Sequence, residues 1–211
     1  MELQPIRVVL ADDHPVVRAG IEHTLQMAPR LNVVGTAATF EDLLRLLSQQ
    51  NADVVVLDIS GMGETPLAMV AQLTRRFPEV AIVTFSSTVD LAPELMQAGV
   101  RGAVVKQEVS EHLVEAIQAA YARQAYISPV TQNYLDRVAN IRASFRFTPQ
   151  EFSILKFLSE GLSTKEIAKA LVIGDGGVYN YISTIRDKTG IRQRTELVNF
   201  YRRLTGDELN A

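Results

Sequence analysis

Residues 54–58 read Val-Val-Val-Leu-Asp. Four successive apolar, β-favouring residues leave no polar alternate for a solvent face, so the run fits a strand covered on both sides, as in a parallel sheet between helices. It ends on a carboxylate. Working outward, similar short apolar runs occupy residues 6–10, 31–35, 80–85 and 102–105, and chemically active side chains follow several of them: Asp12 and Asp13, Ser86, and Lys106. Between these runs lie segments of helical period. Residues 14–27 carry Val17, Ile21 and Leu25; residues 39–50 open on Thr39 with Asp42 three residues later and bury leucines 43, 44, 46 and 47. Thr65-Pro66 starts a helix ending near Phe77, and residues 92–98 and 110–123 complete the series. Five βα units in about 125 residues predict an α/β, doubly wound, five-stranded parallel sheet with helices on both faces.

After residue 123 the strand pattern stops. Ser128-Pro129 starts a helix to about Ile141 within a linker spanning 126–146, and residues 142–147 read as a polar-aromatic connection. The tail, 147–211, reads as four helices. Thr148-Pro149-Gln150-Glu151 is a capping box with proline at the first helical position, and Ser163-Thr164-Lys165-Glu166 is a second. Gly174-Asp175-Gly176-Gly177 predicts a turn before a helix over 178–188, which Gly190 ends, and a last helix covers 195–204. Two short helices joined by a glycine-bearing turn form a helix-turn-helix signature.

A chain of 211 residues is long for one core and sufficient for two. Its 47% hydrophobic and 21% charged residues, with mean hydropathy +0.07, describe a globular chain with no run long enough for a membrane span. The start, Met-Glu-Leu-Gln-Pro, lacks a basic region followed by an apolar stretch, so a cytoplasmic protein is expected. Zero cysteines exclude disulfides, thiolate metal sites and thiol catalysis, and His14, His23 and His112 are too scattered to form a ligand cluster. The net charge of −3 is unevenly spread: residues 1–125 hold 9 Lys+Arg against 15 Asp+Glu, whereas residues 147–211 hold 9 against 8. An acidic front precedes a mildly basic back, the asymmetry expected if the tail meets nucleic acid.

In an open parallel sheet, ligands gather beyond the carboxyl ends of the strands. Asp12, Asp13, Asp58, Ser86 and Lys106 all fall there. Taken singly, each acid could merely cap a helix; three converging carboxylates repel one another unless a cation sits among them. Oxygen donors around a partly open site suit Mg²⁺. Asp58 is then a candidate nucleophile toward a phosphoryl group, with Lys106 neutralising oxygens and Ser86 donating a hydrogen bond. No further base–nucleophile pair is visible, so an enzyme acting on small molecules is not expected.

These residues carry a resemblance. Ala11-Asp12-Asp13-His14-Pro15-Val16-Val17-Arg18-Ala19-Gly20, Ala52 to Asp58, and Ala98 to Lys106 resemble the flavodoxin-like receiver domain of bacterial two-component response regulators. Thr148 to Glu151, Glu160 to Ala168, and Arg194-Thr195-Glu196-Leu197-Val198 are similar to the LuxR-type helix-turn-helix. Together they resemble the NarL/FixJ subfamily over nearly the whole chain. The resemblance implies a receiver over 1–125, a linker over 126–146 and a DNA-binding domain over 147–211. It implies a sensor histidine kinase as donor, Asp58 as phosphoacceptor, and Mg²⁺ held by Asp12, Asp13, Asp58 and the backbone carbonyl of Ser60.

The departures are specific. Where relatives usually show Met-Pro after the acceptor, this chain has Ile59-Ser60-Gly61-Met62-Gly63, a looser loop. The interval from Ser86 to Lys106 is about two residues shorter than usual, which implies a short fourth helix begun by Pro93 and leaves Thr84 as a rival hydroxyl. Ala103 stands where an aromatic usually reads out activation. In the tail, register with the family assigns Tyr179, Asn180 and Ser183 to the groove face, with Arg186 and Lys188 further along, and Lys165, Lys169, Arg192, Arg194 and Thr195 to the DNA backbone. Glycines 174, 176 and 177 and Tyr179 and Tyr181 replace the usual cap and cations. The expected function is a DNA-binding transcription factor switched at Asp58, acting on duplex DNA as a homodimer through Leu197, Val198, Phe200, Tyr201 and Leu204. Two alternatives stay open: a regulator that works without phosphorylation, and one whose degenerate tail binds a protein partner.

Overall fold

The computed structural model describes residues 4–108 and 110–205. The chain divides between Gln132 and Asn133 into two compact units. In the first, β1 (Ile6–Ala11), α1 (Pro15–Gln26), β2 (Leu31–Ala37), α2 (Phe40–Gln49), β3 (Val54–Leu57), α3 (Pro66–Arg76), β4 (Ala81–Ser86), α4 (Ala92–Gln97), β5 (Gly102–Val105), α5 (Ser110–Tyr121) and β6 (Tyr126–Ile127) alternate along the chain. The sheet order is β2-β1-β3-β4-β5-β6, parallel at each pairing.

The apolar run that opened the sequence is β3, central and buried at all four positions. One core packs Phe40, Leu43, Met69, Leu73 and Leu95 of α2, α3 and α4 on one face of the sheet, and a second packs Ile21, Leu25, Leu113 and Ile117 of α1 and α5 on the other. Capping by Thr39 is present: its side chain accepts the Asp42 amide. The fourth helix is short, six residues with Pro93 in its first turn.

Two expectations are corrected here. The sheet has six strands, not five, because Tyr126 and Ile127 pair with Gly102 and Ala103. The linker expected over 126–146 is helical for most of its length. Its first residues complete the sheet, and α6 (Pro129–Phe145) starts in the first unit and ends in the second. The predicted connection over 142–147 is mostly the last turn of α6, whose Ile141 and Phe145 have apolar partners in the core of the second unit.

The second unit contains α7 (Pro149–Ser159), α8 (Thr164–Leu171), α9 (Asp175–Thr189) and α10 (Arg194–Thr205). Both capping boxes are complete, through Thr148 and Glu151 on α7 and Ser163 and Glu166 on α8. Val172 ends α8 in the left-handed region (φ 54°) and is 90% exposed. The predicted glycine turn over 174–177 is corrected: Gly174 is the N-cap, and Gly176 and Gly177 lie inside α9. Their low helix propensity is overridden by the packing of Val178, Ile182 and Ile185 behind them. The apolar face of α10 is largely spent internally. Leu197 and Tyr201 are buried, Tyr201 lies 5.4 Å from the Phe152 ring, and Phe200 meets Phe145 edge-on at 5.1 Å. The expected dimer contact is thus corrected to core packing at Leu197 and Tyr201, leaving Val198, Phe200 and Leu204 half-buried. No helix among the described residues is long and apolar enough to cross a membrane.

Candidate functional site

The parallel register brings the strand ends together. Ala11 of β1 lies opposite Leu57 of β3, and the Asp58 amide donates to the Ala11 carbonyl (2.7 Å), so Asp12 and Asp58 leave the sheet side by side. Both are buried, at 2% and 1% exposure. Ser86 pairs with Val105, and the Lys106 amide donates to the Ser86 carbonyl (2.7 Å). The Lys106 ammonium thereby reaches Asp12 Oδ2 at 2.7 Å and Asp58 Oδ2 at 2.6 Å. Burial alone would lower the lysine pKa, but these two carboxylates outweigh it and hold the group protonated above its ordinary value.

The remaining oxygens are held locally. Asp58 Oδ1 accepts the Ser60 amide (3.0 Å) and Asp12 Oδ1 the His14 amide (2.7 Å), while the Arg18 guanidinium donates to the Asp12 carbonyl. Asp13 leans in from the side, and a Cβ at Gly61 would fall 2.0 Å from its Oδ2, so only glycine leaves room for that carboxylate. Asp13 Oδ1 is buried and accepts no hydrogen bond. Three carboxylates against one ammonium leave a surplus of two negative charges. An orphaned oxygen, a glycine cradle and an oxygen-rich donor set fit a hard divalent cation such as Mg²⁺.

The rival hydroxyls separate. Thr84 donates to the Gly102 carbonyl inside the sheet (3.3 Å), whereas Ser86 ends β4, where its Oγ accepts the Thr88 amide (3.1 Å) and keeps its own proton free to donate. Behind Ser86 a cavity of about 10 Å³ is lined by Ile59, Thr84, Ala103 and Thr131, among others. Ala103 leaves this space, and the first turn of α6 closes it: the Ser128 amide donates to the Ala103 carbonyl, and the buried Ser128 and Thr131 hydroxyls share a 2.9 Å hydrogen bond. Sequence reading took Ser128 only as a helix start and Thr131 not at all. It also set His14 aside, yet His14, Asp12, Asp13 and Asp58 form one group with ligand atoms within 4.8 Å of one another.

In the second unit, α9 turns Tyr179, Asn180 and Ser183 toward solvent together with Thr184 and Asp187. Lys165, Lys169, Arg192, Arg194 and Thr195 are exposed nearby in sequence. Lys188 is corrected as a surface cation. Its ammonium sits on Glu151 (2.7 and 2.8 Å) and on the Arg146 carbonyl (2.8 Å), tying α9 to the capping box of α7. Arg186 is half-buried, its Nε shielded and without a hydrogen bond, so it too lies off the outer face. Arg194 remains exposed but already donates to the Leu162 carbonyl. Sequence reading missed Asp187, which puts an acid on the outer face.

The comparisons with known proteins follow this division. The response regulator receiver domain family matches residues 8–118, and the luxR family of bacterial regulatory proteins matches residues 146–201. The chain belongs to the response regulators. This response regulator is 34% identical over 199 residues to the response regulator GacA of Pseudomonas aeruginosa, covering 93% of this chain and 86% of GacA. It is 30% identical over 202 residues to the nitrate/nitrite response regulator protein NarL of Escherichia coli, covering 92% and 93%. Among solved structures, the RcsB response regulator of Salmonella typhimurium shares the fold with TM-score 0.65 at 23% identity, covering 94% of this chain and 98% of that one. The protein is a transcriptional response regulator with a receiver and a LuxR-type DNA-binding domain.

Proposed function

We propose that the first unit accepts a phosphoryl group on Asp58 from a sensor histidine kinase and that the second unit, as a homodimer in the cytoplasm, reads duplex DNA under its control. The observation that carries the reading is the Lys106 ammonium bridging two buried carboxylates at the strand ends. An Asp58 carboxylate oxygen forms the bond to phosphorus as the bond from phosphorus to the donor nitrogen breaks, and the leaving imidazole takes up a proton. Lys106 neutralises charge on the acceptor side, and the Ser86 hydroxyl donates to a phosphoryl oxygen. Asp12, Asp13, Asp58 and the Ser60 carbonyl would hold Mg²⁺, which when bound would further neutralise charge on the phosphoryl oxygens.

The test uses acetyl phosphate with Mg²⁺ and intact-mass detection. One phosphoryl group is expected on the wild type and none on Asp58→Asn. Labelling that survives the substitution, or none on the wild type, favours a regulator that acts without phosphorylation.

On the DNA side, Tyr179, Asn180 and Ser183 form the reading face, with Lys165, Lys169, Arg192, Arg194 and Thr195 toward phosphates. A second reading, a tail that binds a protein partner, is favoured by the 62% exposed Tyr179, the 90% exposed Val172 and the lack of a cation on the outer face of α9 among the described residues. Selection from a random duplex library separates the two: an enriched sequence supports DNA reading, and none at low salt supports the partner.

A further inference from the structure

His14 stands over the acid pocket in a way that capping does not explain. It occupies the N-cap position of α1 in an extended conformation (φ −91°, ψ 110°), makes no side-chain capping bond, and precedes Pro15. Proline disfavours the helical region for the residue before it, so the backbone at His14 is restricted from two sides: by Pro15 and by the bond from its amide to Asp12 Oδ1. The ring is thereby aimed back at the carboxylates. Its Nδ1 lies 2.7 Å from Asp13 Oδ1, 3.3 Å from Asp12 Oδ1 and 3.9 Å from Asp58 Oδ2, oxygens of three different residues.

The shortest of these contacts pairs the ring with Asp13. Asp13 Oδ1 is buried and has no hydrogen-bond partner even with Nδ1 so close. The ring nitrogen and the carboxylate oxygens beside it place possible ligand atoms of His14, Asp12, Asp13 and Asp58 within 4.8 Å of one another. Adjacent donors around an octahedral ion with bonds of about 2.1 Å lie about 3 Å apart, close to the 2.7 and 3.3 Å that separate Nδ1 from Asp13 Oδ1 and Asp12 Oδ1. Lys106 holds the Oδ2 atoms of Asp12 and Asp58, so the oxygens near the ring that carry no ammonium are Asp13 Oδ1 and Asp12 Oδ1. The ring is 61% exposed on its side chain, so it reaches the pocket from the solvent side without displacing anything packed.

We propose that His14 is a nitrogen donor to the divalent ion of this pocket and biases the site from Mg²⁺ toward first-row transition ions, Co²⁺ more strongly than Mn²⁺. The inference rests on the reading of the acid pocket as a divalent cation site. Its chemical basis is donor type: oxygen donors suit Mg²⁺ and Mn²⁺ alike, whereas one imidazole among them adds affinity for first-row transition ions, least for Mn²⁺ and more for Co²⁺, and little for Mg²⁺.

The experiment titrates the full chain and His14→Ala with Mn²⁺, obtains Mg²⁺ affinity by competition, and records pulsed electron paramagnetic resonance of bound Mn²⁺ for ¹⁴N coupling. Wild type is expected to show imidazole coupling. His14→Ala is expected to lose it, to bind Mn²⁺ about tenfold more weakly, and to keep its Mg²⁺ affinity within about twofold. Mn²⁺ bound without nitrogen coupling, or equal weakening of both ions, overturns the proposal and leaves the cation site intact. Asp13→Asn is expected to weaken both ions together. A wild type that binds neither ion removes the cation site itself, and this proposal with it.

Discussion

A Cβ on Gly61 would lie 2.0 Å from Asp13 Oδ2, and its φ of +71° is one that L side chains rarely adopt. Gly61→Ala therefore meets two penalties at once. Backbone strain costs about 1–2 kcal/mol, and the displaced Asp13 weakens the pocket's hold on a divalent ion by roughly tenfold. A urea titration and a Mn²⁺ titration read the two separately, and normal ion affinity in the variant would show that Asp13 is not needed there. Glu151 is the second residue under tension. Burial pushes its carboxyl pKa up, but hydrogen bonds from Lys188 and from the Thr148 amide outweigh this and hold it below the ordinary value. A depressed carboxylate stabilises the fold above its unfolded pKa, about 4.3, and that stabilisation is lost as pH falls through the folded value. Lys188→Met should then cost the second unit about 3 kcal/mol at pH 7, the lower end for breaking a buried pair because Lys188 is partly exposed. The gap from wild type should narrow as the pH drops below about 4. Urea midpoints at pH 7 and pH 3.5 check the sign.

Among the elements, α9 carries a removable weakness. Gly176 has open space where a Cβ would go, and a Cβ at Gly177 would make ordinary contact with Ile173 at 3.6 Å. Replacing each by alanine should stabilise the helix by roughly 0.5–1 kcal/mol, read as slower amide exchange along α9. Unchanged exchange would mean that tertiary packing alone limits its opening. Tyr201→Ala on α10 is expected to do the opposite. It empties a fully buried position against Phe152 at a cost of about 3–5 kcal/mol and collapses protection across α7 to α10, whereas a surface position would leave them unmoved. How much was legible in the sequence follows from the same elements. Long periodic runs with explicit caps, such as Thr39, Thr148 and Ser163, could be read nearly to the residue, because the capping bond is local. The glycines of α9 misled because packing from Val178 inward overrode their propensity. The two residues of β6 have no period to detect and form a strand only because β5 offers an open edge. At the site, the strand-end acids and Lys106 were legible from spacing. Lys188 was not, since its partner Glu151 lies 37 residues away, and His14 was missed because histidines were compared with one another and not with the acids beside them.

For the whole molecule, the charge division stands beside a reading face with no cation of its own on α9 among the described residues. Binding to random duplex should therefore be weak at physiological salt, with a shallow dependence of affinity on salt concentration. Asn180→Ala should cost about 1–3 kcal/mol on a selected site and little on random sequence, measured by fluorescence anisotropy across salt. Equal losses on both would assign Asn180 to the backbone. The strand β6 also bears on how the chain is made. Translation delivers β5 some twenty residues before the two residues that shield its edge, so the nascent sheet passes through a stage with a bare parallel edge. A fragment cut at residue 125 would be arrested at that stage and prone to stick to its copies, whereas one ending at residue 132 would carry its own guard strand.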